Sequence, residues 1–441
     1  MTVFRGTVLD TPGDTSLGSI RLRTEADAAL VVDNGRISAR GPFAETVRDH
    51  PGREVVDLRE GLILPGLVDA HVHYPQVRVI GALGMPLLQW LDECALPEEA
   101  RLASIDYARQ VADEFVQGLV SAGTTTALVF GSHFASAVDA LFERVASAGL
   151  RVTAGLVASD RSLPEPLLST PDRFYAESMA LAARWHGVDR TRYAVTPRFS
   201  YSASEDMLDA CGSVFKDVEG SWFTSHVNEN LAEVAAVAEL FAAAEHYVDT
   251  YDRYGLVGPR AVLAHNVHAS DLEVALLAAR GASVAHCPTS NASLGSGRFP
   301  MRRHVEQGVR IALGSDVGAG TGFSMFKEAL QAYLMQQLLG ADGLALTAPD
   351  LLHLATRSGA LALGLGDEVG DLSVGKQFDA VWIRPVPADP LDVGLRYAAS
   401  PEDAVAKTLA LAGAADIAGV WVDGQSIAHH PRSSEHLLVI E

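Results

Sequence analysis

Eight short apolar segments alternate with helical stretches through the middle of this chain, and this alternation restricts the fold more than any other feature. The apolar segments have the length and composition of buried strands, and the stretches between them, such as residues 231–247, are alanine-rich and amphipathic. The predicted strands are residues 62–68, 124–130, 151–158, 193–196, 222–225, 261–264, 283–285 and 310–314. A strand followed by a helix, repeated eight times, is typical of an α/β fold, the (β/α)8 TIM barrel, whose active-site residues follow the strands.

Both chain ends have a different pattern, in which short strands are joined by tight turns. Residues 29–38 predict two strands around an Asp-Asn-Gly turn, and residues 420–427 predict two strands around an Asp-Gly turn. A further strand is predicted at residues 378–383. We therefore expect a small β-sandwich domain formed from both chain termini. The predicted bounds are residues 1–64 and 366–441 for its two parts and residues 65–365 for the barrel.

The composition favours a globular enzyme with a small-molecule substrate. The chain has 441 residues, 48% of them hydrophobic, and a formal net charge of −21, which argues against a nucleic-acid or anionic-membrane surface. We find no leader pattern and no apolar run long enough to span a bilayer, so the cytoplasm is the expected location. Cys94, Cys211 and Cys287 are widely spaced, and no disulfide framework is expected.

Histidine and carboxylate side chains at the ends of the predicted strands indicate a metal site. His71 and His73 are two residues apart at the end of the first strand, so both imidazoles point to one side. Three more such groups follow the fifth, sixth and eighth strands, namely His226, His265 and Asp316. Nitrogen and oxygen ligands of this kind suit Zn²⁺ and also Fe²⁺. The proposed ligands of one Zn²⁺ ion per subunit, with Fe²⁺ as the alternative, are His71, His73, His226 and Asp316.

The competing interpretation is that these histidines are ordinary hydrogen-bonded core or loop residues. A lone histidine would favour that interpretation, but the whole set at successive strand ends favours the metal site. Three other histidines near strand ends are expected to be loop residues or neighbours of the ligands: His133, His268 and His286. Strand four is followed by Pro197-Arg-Phe199, without the lysine that would bridge two metal ions, so one ion is expected.

Glu229 is the candidate proton carrier. A metal ion lowers the pKa of its bound water towards ~7, which makes that water a nucleophile near neutral pH. Glu229 lies three residues after His226, and a turn of the backbone there would bring its carboxylate into the same cavity. A carboxylate at that place can accept a proton and pass it to the substrate.

Several motifs resemble one known family. The sequences Pro65-Gly-Leu-Val-Asp-Ala-His-Val-His73 and Gly314-Ser-Asp316 resemble the amidohydrolase superfamily, which includes the ATZ/TRZ-like deaminases. More specific motifs resemble the guanine deaminase family within it: His73-Tyr-Pro-Gln76, Trp90-Leu91, Thr196-Pro-Arg-Phe199, His226-Val-Asn-Glu-Asn230, His286-Cys-Pro-Thr-Ser-Asn291 and Leu294-Gly-Ser-Gly297. The resemblance covers about residues 60 to 330, and the two β-rich ends agree with it.

This resemblance implies hydrolytic deamination of guanine to xanthine and ammonia by a metal-bound hydroxide. Carried over by position, Gln76 and Arg198 would hydrogen-bond the purine edge, Phe199 would stack on the ring, and Trp90 and Leu91 would line the pocket. A planar heterocycle needs such an apolar slot with a few directed polar groups. The groups that would orient water or carry protons are Glu229, His265 and Asp316. The family also implies a homodimer.

Two other functions stay open at this point. A related mononuclear amidohydrolase would deaminate another amino-heterocycle, such as a triazine, an adenine derivative or a pterin, and a substrate panel would distinguish it. A non-catalytic binding or scaffold protein would be expected to have lost ligands. All four proposed ligands and Glu229 are present, which favours an enzyme.

Overall fold

A computed structural model describes residues 2–429 and 438–439. In chain order the strands are β1 (Thr2–Asp10), β2 (Arg23–Asp33), β3 (Arg36–Pro42), β4 (Glu54–Pro65), β5 (Leu67–His73), β6 (Thr124–Phe130), β7 (Arg151–Gly155), β8 (Val157–Ala158), β9 (Thr191–Pro197), β10 (Trp222–Val227), β11 (Ala261–His265), β12 (Ser283–His286), β13 (Arg310–Leu313), β14 (Ala380–Ile383), β15 (Ile417–Val422), β16 (Gln425–His429) and β17 (Leu438–Val439). Among these residues, no helix has the length and apolar character needed to cross a membrane.

The helices lie mainly between the strands of the middle region. In chain order they are α1 (Phe43–Asp49), α2 (Leu87–Trp90), α3 (Leu96–Ala100), α4 (Ile105–Ser121), α5 (Ala135–Ala148), α6 (Pro171–Trp185), α7 (Glu205–Asp217), α8 (Leu231–Leu240), α9 (Asp249–Asp252), α10 (Asp271–Arg280), α11 (Pro288–Ser293), α12 (Met301–Glu306), α13 (Met325–Leu338), α14 (Ala348–Ala355), α15 (Arg357–Ala362), α16 (Pro390–Arg396) and α17 (Pro401–Leu411). A π-helical turn, Leu91–Ala95, joins α2 to α3.

The middle strands form a parallel barrel, which confirms the predicted fold. Their order is β13-β12-β11-β10-β9-β7-β6-β5, and the short β8 also pairs with β9. The barrel closes where β5 meets the segment after β13, because the Asp316 N–H donates to the His71 carbonyl at 2.9 Å. The His73 N–H also donates to the Val317 carbonyl, at 3.0 Å. This closure places the ends of the first and last barrel strands side by side.

The first predicted strand, residues 62–68, has the wrong bounds because two strands of different sheets meet there. β4 ends at Pro65 in the second sheet, and β5 begins at Leu67 in the barrel. Gly66 between them packs so closely that a Cβ would lie 2.2 Å from Thr125 Oγ1. The barrel strand also continues further than the sequence indicated, so His71 and His73 lie within β5 rather than after it.

Amphipathic helices cover the outside of the barrel. In α4 the buried residues are spaced three or four apart, as in Val111, Phe115 and Leu119, so one face packs inwards. α10 begins at a capping box formed by Ser270 and Glu273, which satisfies backbone N–H groups that the first turn leaves free. The predicted helix at residues 231–247 is shorter in the structure, because α8 ends at Leu240 and turns follow it.

The second sheet contains strands from both chain ends, in the order β16-β15-β14-β4-β1-β2-β3, with β17 paired to β4. Both predicted hairpins are confirmed, and their turn residues have the positive φ that such turns require, for example 47° at Asn34 and 79° at Gly35. Phe4 on β1 lies 5.5 Å from the ring of Trp421 on β15. Because β4 and β14 separate those strands, a flat sheet would hold them about 14 Å apart. The sheet therefore curls over its own apolar side chains.

The chain leaves this second sheet after Pro65 and returns to it at Ala380. The finer domain bounds, residues 1–64, 65–365 and 366–441, stay a prediction. The carboxyl ends of the barrel strands lie together at one mouth of the barrel, and that mouth contains the histidine and carboxylate side chains at the strand ends.

Candidate active site

Unusual backbone conformations occur where β10, β11 and β13 end. The backbone φ is 50° at Asn228, 71° at His265, 49° at Asn266 and 49° at Asp316. Residues other than glycine seldom adopt this left-handed region, and those that do are concentrated at functional sites. Each of these residues turns the chain sharply at the mouth of the barrel.

Four side-chain atoms converge between the ends of β5, β10 and β13. His73 Nε2 lies 3.2 Å from His71 Nε2 and 3.1 Å from His226 Nε2. Asp316 Oδ1 lies 3.2 Å from the Nε2 atoms of both His71 and His73. Ligand atoms held about 2.0–2.2 Å from a tetrahedral ion lie about 3.3–3.6 Å from one another. The spacing of these three histidines and one aspartate therefore fits a single metal ion.

The protonation states of these groups also fit a metal ion. Burial lowers the pKa of His73 to about 4 and lowers that of His226 well below its usual value, so both imidazoles are neutral at pH 7. His226 Nδ1 lies 2.6 Å from the Arg198 carbonyl, to which it donates, so its Nε2 lone pair faces the other three groups. Burial alone would raise the pKa of Asp316, but contacts with His71 and His73 hold it well below its usual value.

His265 lies slightly further from this centre. Its Nδ1 donates to Asn291 Oδ1 at 2.9 Å, and its Nε2 lies 3.7 Å from Asp316 Oδ2. A second set with ligand atoms within 4.8 Å of one another consists of His71, His226, His265 and Asp316. The three contacts of His73 at 3.1–3.2 Å favour His73 over His265 as the fourth ligand.

Glu229 lies beside the same centre, because the left-handed turn at Asn228 reverses the chain after β10. Its Oε2 lies 3.4 Å from His265 Nε2, and its Oε1 accepts a hydrogen bond from Ser296 at 3.3 Å. Its backbone N–H donates to the buried carboxylate of Glu233 at 3.1 Å. Burial, followed by the negative charge of Asp316, raises the pKa of Glu229 to about 8. This carboxyl group therefore holds a proton near neutral pH.

A cavity opens directly beside these groups. Its wall consists of His73, Gln76, Leu87, Trp90, Leu91, Arg198, Phe199, His226, Glu229, Leu294, Asp316 and Ala319. One end of the cavity, which we call the metal end, contains the histidines, Asp316 and Glu229. A second polar part of the wall, which we call the far end, contains Gln76 and Arg198. The remaining wall is mainly aromatic and aliphatic, as in pockets for flat heterocycles.

The far end is organised by Glu99, a residue that the sequence did not single out. Arg198 Nη1 donates to both Glu99 carboxylate oxygens at 2.8 Å, and Gln76 Nε2 donates to Oε1 at 2.7 Å. His133 Nδ1 lies 3.4 Å from Oε2. Burial alone would raise the pKa of Glu99, but Arg198, His133 and Gln76 hold it below its usual range. Glu99 is therefore a buried, permanent anion.

The structure brings together all the side chains that the sequence selected. Most line the cavity, and His71 and His265 contact the cavity residues Asp316 and Glu229. Their individual roles stay predictions. Sequence reasoning missed Glu99, the role of Asn291 beside His265, and Asp69, whose carboxylate accepts from the Ser315 N–H at 2.9 Å. An acid inside the apolar run at Asp69 was a usable signal, whereas Glu99 sits in an ordinary acidic stretch.

The other histidines near strand ends have separate partners. His268 Nε2 bonds the Ser296 carbonyl at 2.6 Å, and His286 stacks on Phe299 with ring centroids 4.6 Å apart. His133, as described above, faces Glu99. These contacts agree with their expected place in loops and around the central groups.

Known proteins share this fold and much of this sequence. The family model described as "Amidohydrolase family" matches residues 62–427, which include all the strands of the barrel. The fold, the matched region and the polar groups at the strand ends define the chain as a hydrolase built on a TIM barrel.

Individual relatives narrow this class. A protein of Deinococcus radiodurans named "Probable guanine deaminase" is 55% identical over 429 residues, covering 96% of this chain and 98% of its own. The solved structure of Escherichia coli guanine deaminase matches with a TM-score of 0.94 and 35% identity, covering 97% of this chain and all of that one. A guanine deaminase structure from C. acetobutylicum with bound guanine matches with a TM-score of 0.89 and 26% identity, covering 97% and 100% of the two chains. The chain belongs to the amidohydrolase family and, within it, to the guanine deaminases.

Proposed function

We propose that this protein hydrolyses guanine to xanthine and ammonia, with one divalent metal ion held by His71, His73, His226 and Asp316. The observation that carries the proposal is that one cavity both adjoins the four groups that can hold a metal ion and has an apolar wall with a few directed polar side chains. The proposal also draws on the relatives, several of which are named guanine deaminases.

A zinc or ferrous ion at this place would supply an activated water near neutral pH. Replacement of the amino group of guanine by oxygen at C2 then needs protons delivered to the purine ring and to the departing ammonia. Glu229 is suited to this work, because it lines the cavity and burial raises the pKa of its carboxyl group above the usual value, which favours proton transfer near neutral pH. We assign it the proton transfer to N3.

The remaining residues position the reactants. His265 and Asp316 orient the water and accept its proton, since His265 Nε2 lies 3.4 Å from Glu229 and 3.7 Å from Asp316. Phe199, which is 3% exposed, provides the face on which the purine ring stacks, and Trp90 and Leu91 enclose it. Gln76 and Arg198 hydrogen-bond the purine edge that faces away from the metal end.

The experiment that tests this function is ammonia release from guanine by the purified protein after loading with zinc. Adenine, a pterin and an amino-triazine are assayed in parallel, because a related amidohydrolase would act on one of these instead. Rapid release from guanine alone supports the proposal. Turnover of another substrate without guanine turnover would retain the hydrolytic site and reject the assigned substrate.

Three further assignments belong to the same proposal. Zinc is preferred to iron as the ion, because neutral imidazoles and one carboxylate in a compact set are typical zinc ligands. Elemental analysis of protein purified without added metal would distinguish the two. A homodimer is inferred from the family resemblance, and light scattering after gel filtration would measure the oligomeric state. A cytoplasmic location stays an expectation from the sequence.

A further inference from the structure

Glu99 determines which hydrogen-bonding groups the far end of the cavity can offer. It is 2% exposed and acts only as an acceptor, because its pKa is held below the usual range. Any neighbour that bonds to it must therefore supply an N–H or O–H group. Both polar residues of the far end, Gln76 and Arg198, do so.

The amide of Gln76 is fixed in one orientation by two partners. Its Nε2 donates to Glu99 Oε1 at 2.7 Å, and its Oε1 accepts from the Gly318 N–H at 3.0 Å. A flipped amide would set two donors against each other at Gly318 and two acceptors against each other at Glu99. The oxygen of Gln76 is thus engaged, and the second N–H of Nε2 is what this side chain retains for a ligand.

Arg198 is held in a similar way. Its Nη1 donates to both oxygens of Glu99, while Nε and Nη2 make no hydrogen bond among the residues that the structure describes. A guanidinium group has donors only, so whatever it offers to the cavity is an N–H group. Trp90, which also lines the cavity, has an indole N–H without a partner in the described chain. These three residues therefore present N–H donors to the cavity, while the Gln76 oxygen is already bonded to the Gly318 N–H.

This arrangement of hydrogen-bond donors distinguishes purines that have an oxygen at C6 from purines that have an amino group there. With C2 directed at the metal end, guanine presents the acceptors O6 and N7 to the rest of the cavity. In 2,6-diaminopurine the group at C6 is an amino donor, which would face the donors of Gln76 and Arg198. A site built for one pattern of hydrogen bonds rejects the other strongly, because buried polar groups are left unpaired.

We propose that Glu99 is the specificity-determining residue that makes the cavity select a 6-oxo purine over a 6-amino purine, by fixing Gln76 and Arg198 as donors. This inference rests on the proposed function and adds to it the origin of its substrate preference. Glu99 acts through its neighbours and is a positioning residue.

The test compares the wild-type protein with Glu99→Gln, Glu99→Asp and the control Glu98→Gln. Glu98 is also largely buried, but its carboxylate bonds to Arg101 and Tyr107 and does not line the cavity. Two readouts are taken from each protein. The first is kcat/KM for guanine against 2,6-diaminopurine, and the second is calorimetric binding of hypoxanthine against adenine, which needs no turnover.

The wild-type protein is expected to prefer the oxo compound by at least about 100-fold in both readouts. Glu99→Gln replaces one acceptor by a donor and so removes one of the two partners that fix the Gln76 amide, and the preference is expected to fall about 10-fold or more. Glu99→Asp keeps the charge and the acceptors and is expected to retain most of the preference. Glu98→Gln is expected to leave the ratio unchanged.

Three results would overturn the proposal. One is equal binding of hypoxanthine and adenine by the wild-type protein, a measurement that does not depend on whether Glu99→Gln folds. Another is an unchanged ratio in a folded Glu99→Gln protein, which would reduce Glu99 to a structural role. The third is an equal loss of preference in Glu98→Gln. Failure of the wild-type protein to release ammonia from guanine would instead reject the proposed function, and the binding readout would still test the polarity of the cavity.

Discussion

Glu229 at the metal end and Glu99 at the far end of the cavity are 3% and 2% exposed, and their pKa values move in opposite directions. Burial raises the pKa of a carboxyl group in both places. Glu229 has Asp316 nearby and one hydroxyl donor, so the rise persists. Glu99 touches Arg198, Gln76 and His133, and these neighbours reverse it. One glutamate can therefore carry a proton, while the other is a fixed charge that orients its neighbours.

The largest effect is expected from Glu229→Gln, which keeps the shape of the side chain and removes its ability to transfer a proton. We expect kcat for guanine to fall by about 10²- to 10⁴-fold, because a positioned acid–base group contributes on that scale. Bound metal, measured by elemental analysis, is expected to be unchanged. Glu239→Gln, at an exposed position on α8, is the control. Substantial residual turnover in Glu229→Gln would contradict the assigned role.

The second effect tests the ion pair at the far end. Arg198→Met leaves Glu99 buried without its cation, and we expect the free energy of unfolding to fall by about 3–5 kcal/mol. The double variant Arg198→Met/Glu99→Gln should recover part of this loss, as measured by urea denaturation at pH 7. The pKa of Glu99 is lowered by folding, so the contribution of its ionised form to the stability of the protein is complete above its usual pKa of 4.5. This contribution is lost as the pH falls towards the pKa of Glu99 in the folded protein. Equal stability of the single and double variants would show that the loss does not come from leaving Glu99 buried without Arg198.

A third buried glutamate, Glu328, lies outside the cavity and can be compared with Glu229 and Glu99. Glu328 is fully buried and accepts from the Thr289 N–H at 3.1 Å, and burial raises its pKa from 4.5 to about 8. Its contribution to stability is therefore complete below pH 4.5 and is lost as the pH rises towards 8. Between pH 5 and 8 we expect the wild-type protein to lose on the order of 2 kcal/mol more stability than Glu328→Gln. If the free energy of unfolding, measured by urea denaturation, changes equally with pH in the two proteins, burial does not set this pKa.

The smallest effect concerns the apolar wall between the two ends. Phe199→Leu removes the aromatic face and retains an apolar side chain, and we expect KM for guanine to rise about 5- to 10-fold with little change in kcat. The neighbouring variant Tyr201→Phe keeps the ring that packs edge-on, 5.4 Å from Phe199, and should change neither constant. A fall in kcat as large as that of Glu229→Gln would show that Phe199 does more than bind the purine.

Sequence reasoning recovered the barrel because its strands follow local patterns, and it selected histidine and carboxylate side chains that the structure brings together at the strand ends. Each barrel strand is a short apolar run, and each candidate ligand lies within or next to such a run. The bounds were less accurate where neighbouring elements compete. Residues 62–68 form parts of two strands because Gly66 fits against Thr125, a contact that exists only after the two sheets pack.

The far end could not be derived in the same way. Glu99 is 23 residues from Gln76 and 99 residues from Arg198, and no spacing rule connects three positions of that kind. The sequence indicated Gln76 and Arg198 as substrate contacts only through resemblance to a family. It gave no information on which of their atoms remain free for a ligand.

By itself, the amino-acid sequence determined the α/β barrel, a β domain formed from both termini and the residue types at the strand ends, since these follow from hydrophobic periodicity and from the turn preferences of Asn, Asp and Gly. The tertiary structure decided which histidines lie 3.1–3.2 Å apart and which atoms of the Gln76 amide are already bonded. It also decided whether each buried glutamate is neutral or charged. The physical reason is that these properties depend on distances and on exclusion of water, and both are set only when distant segments meet at the closed mouth of the barrel.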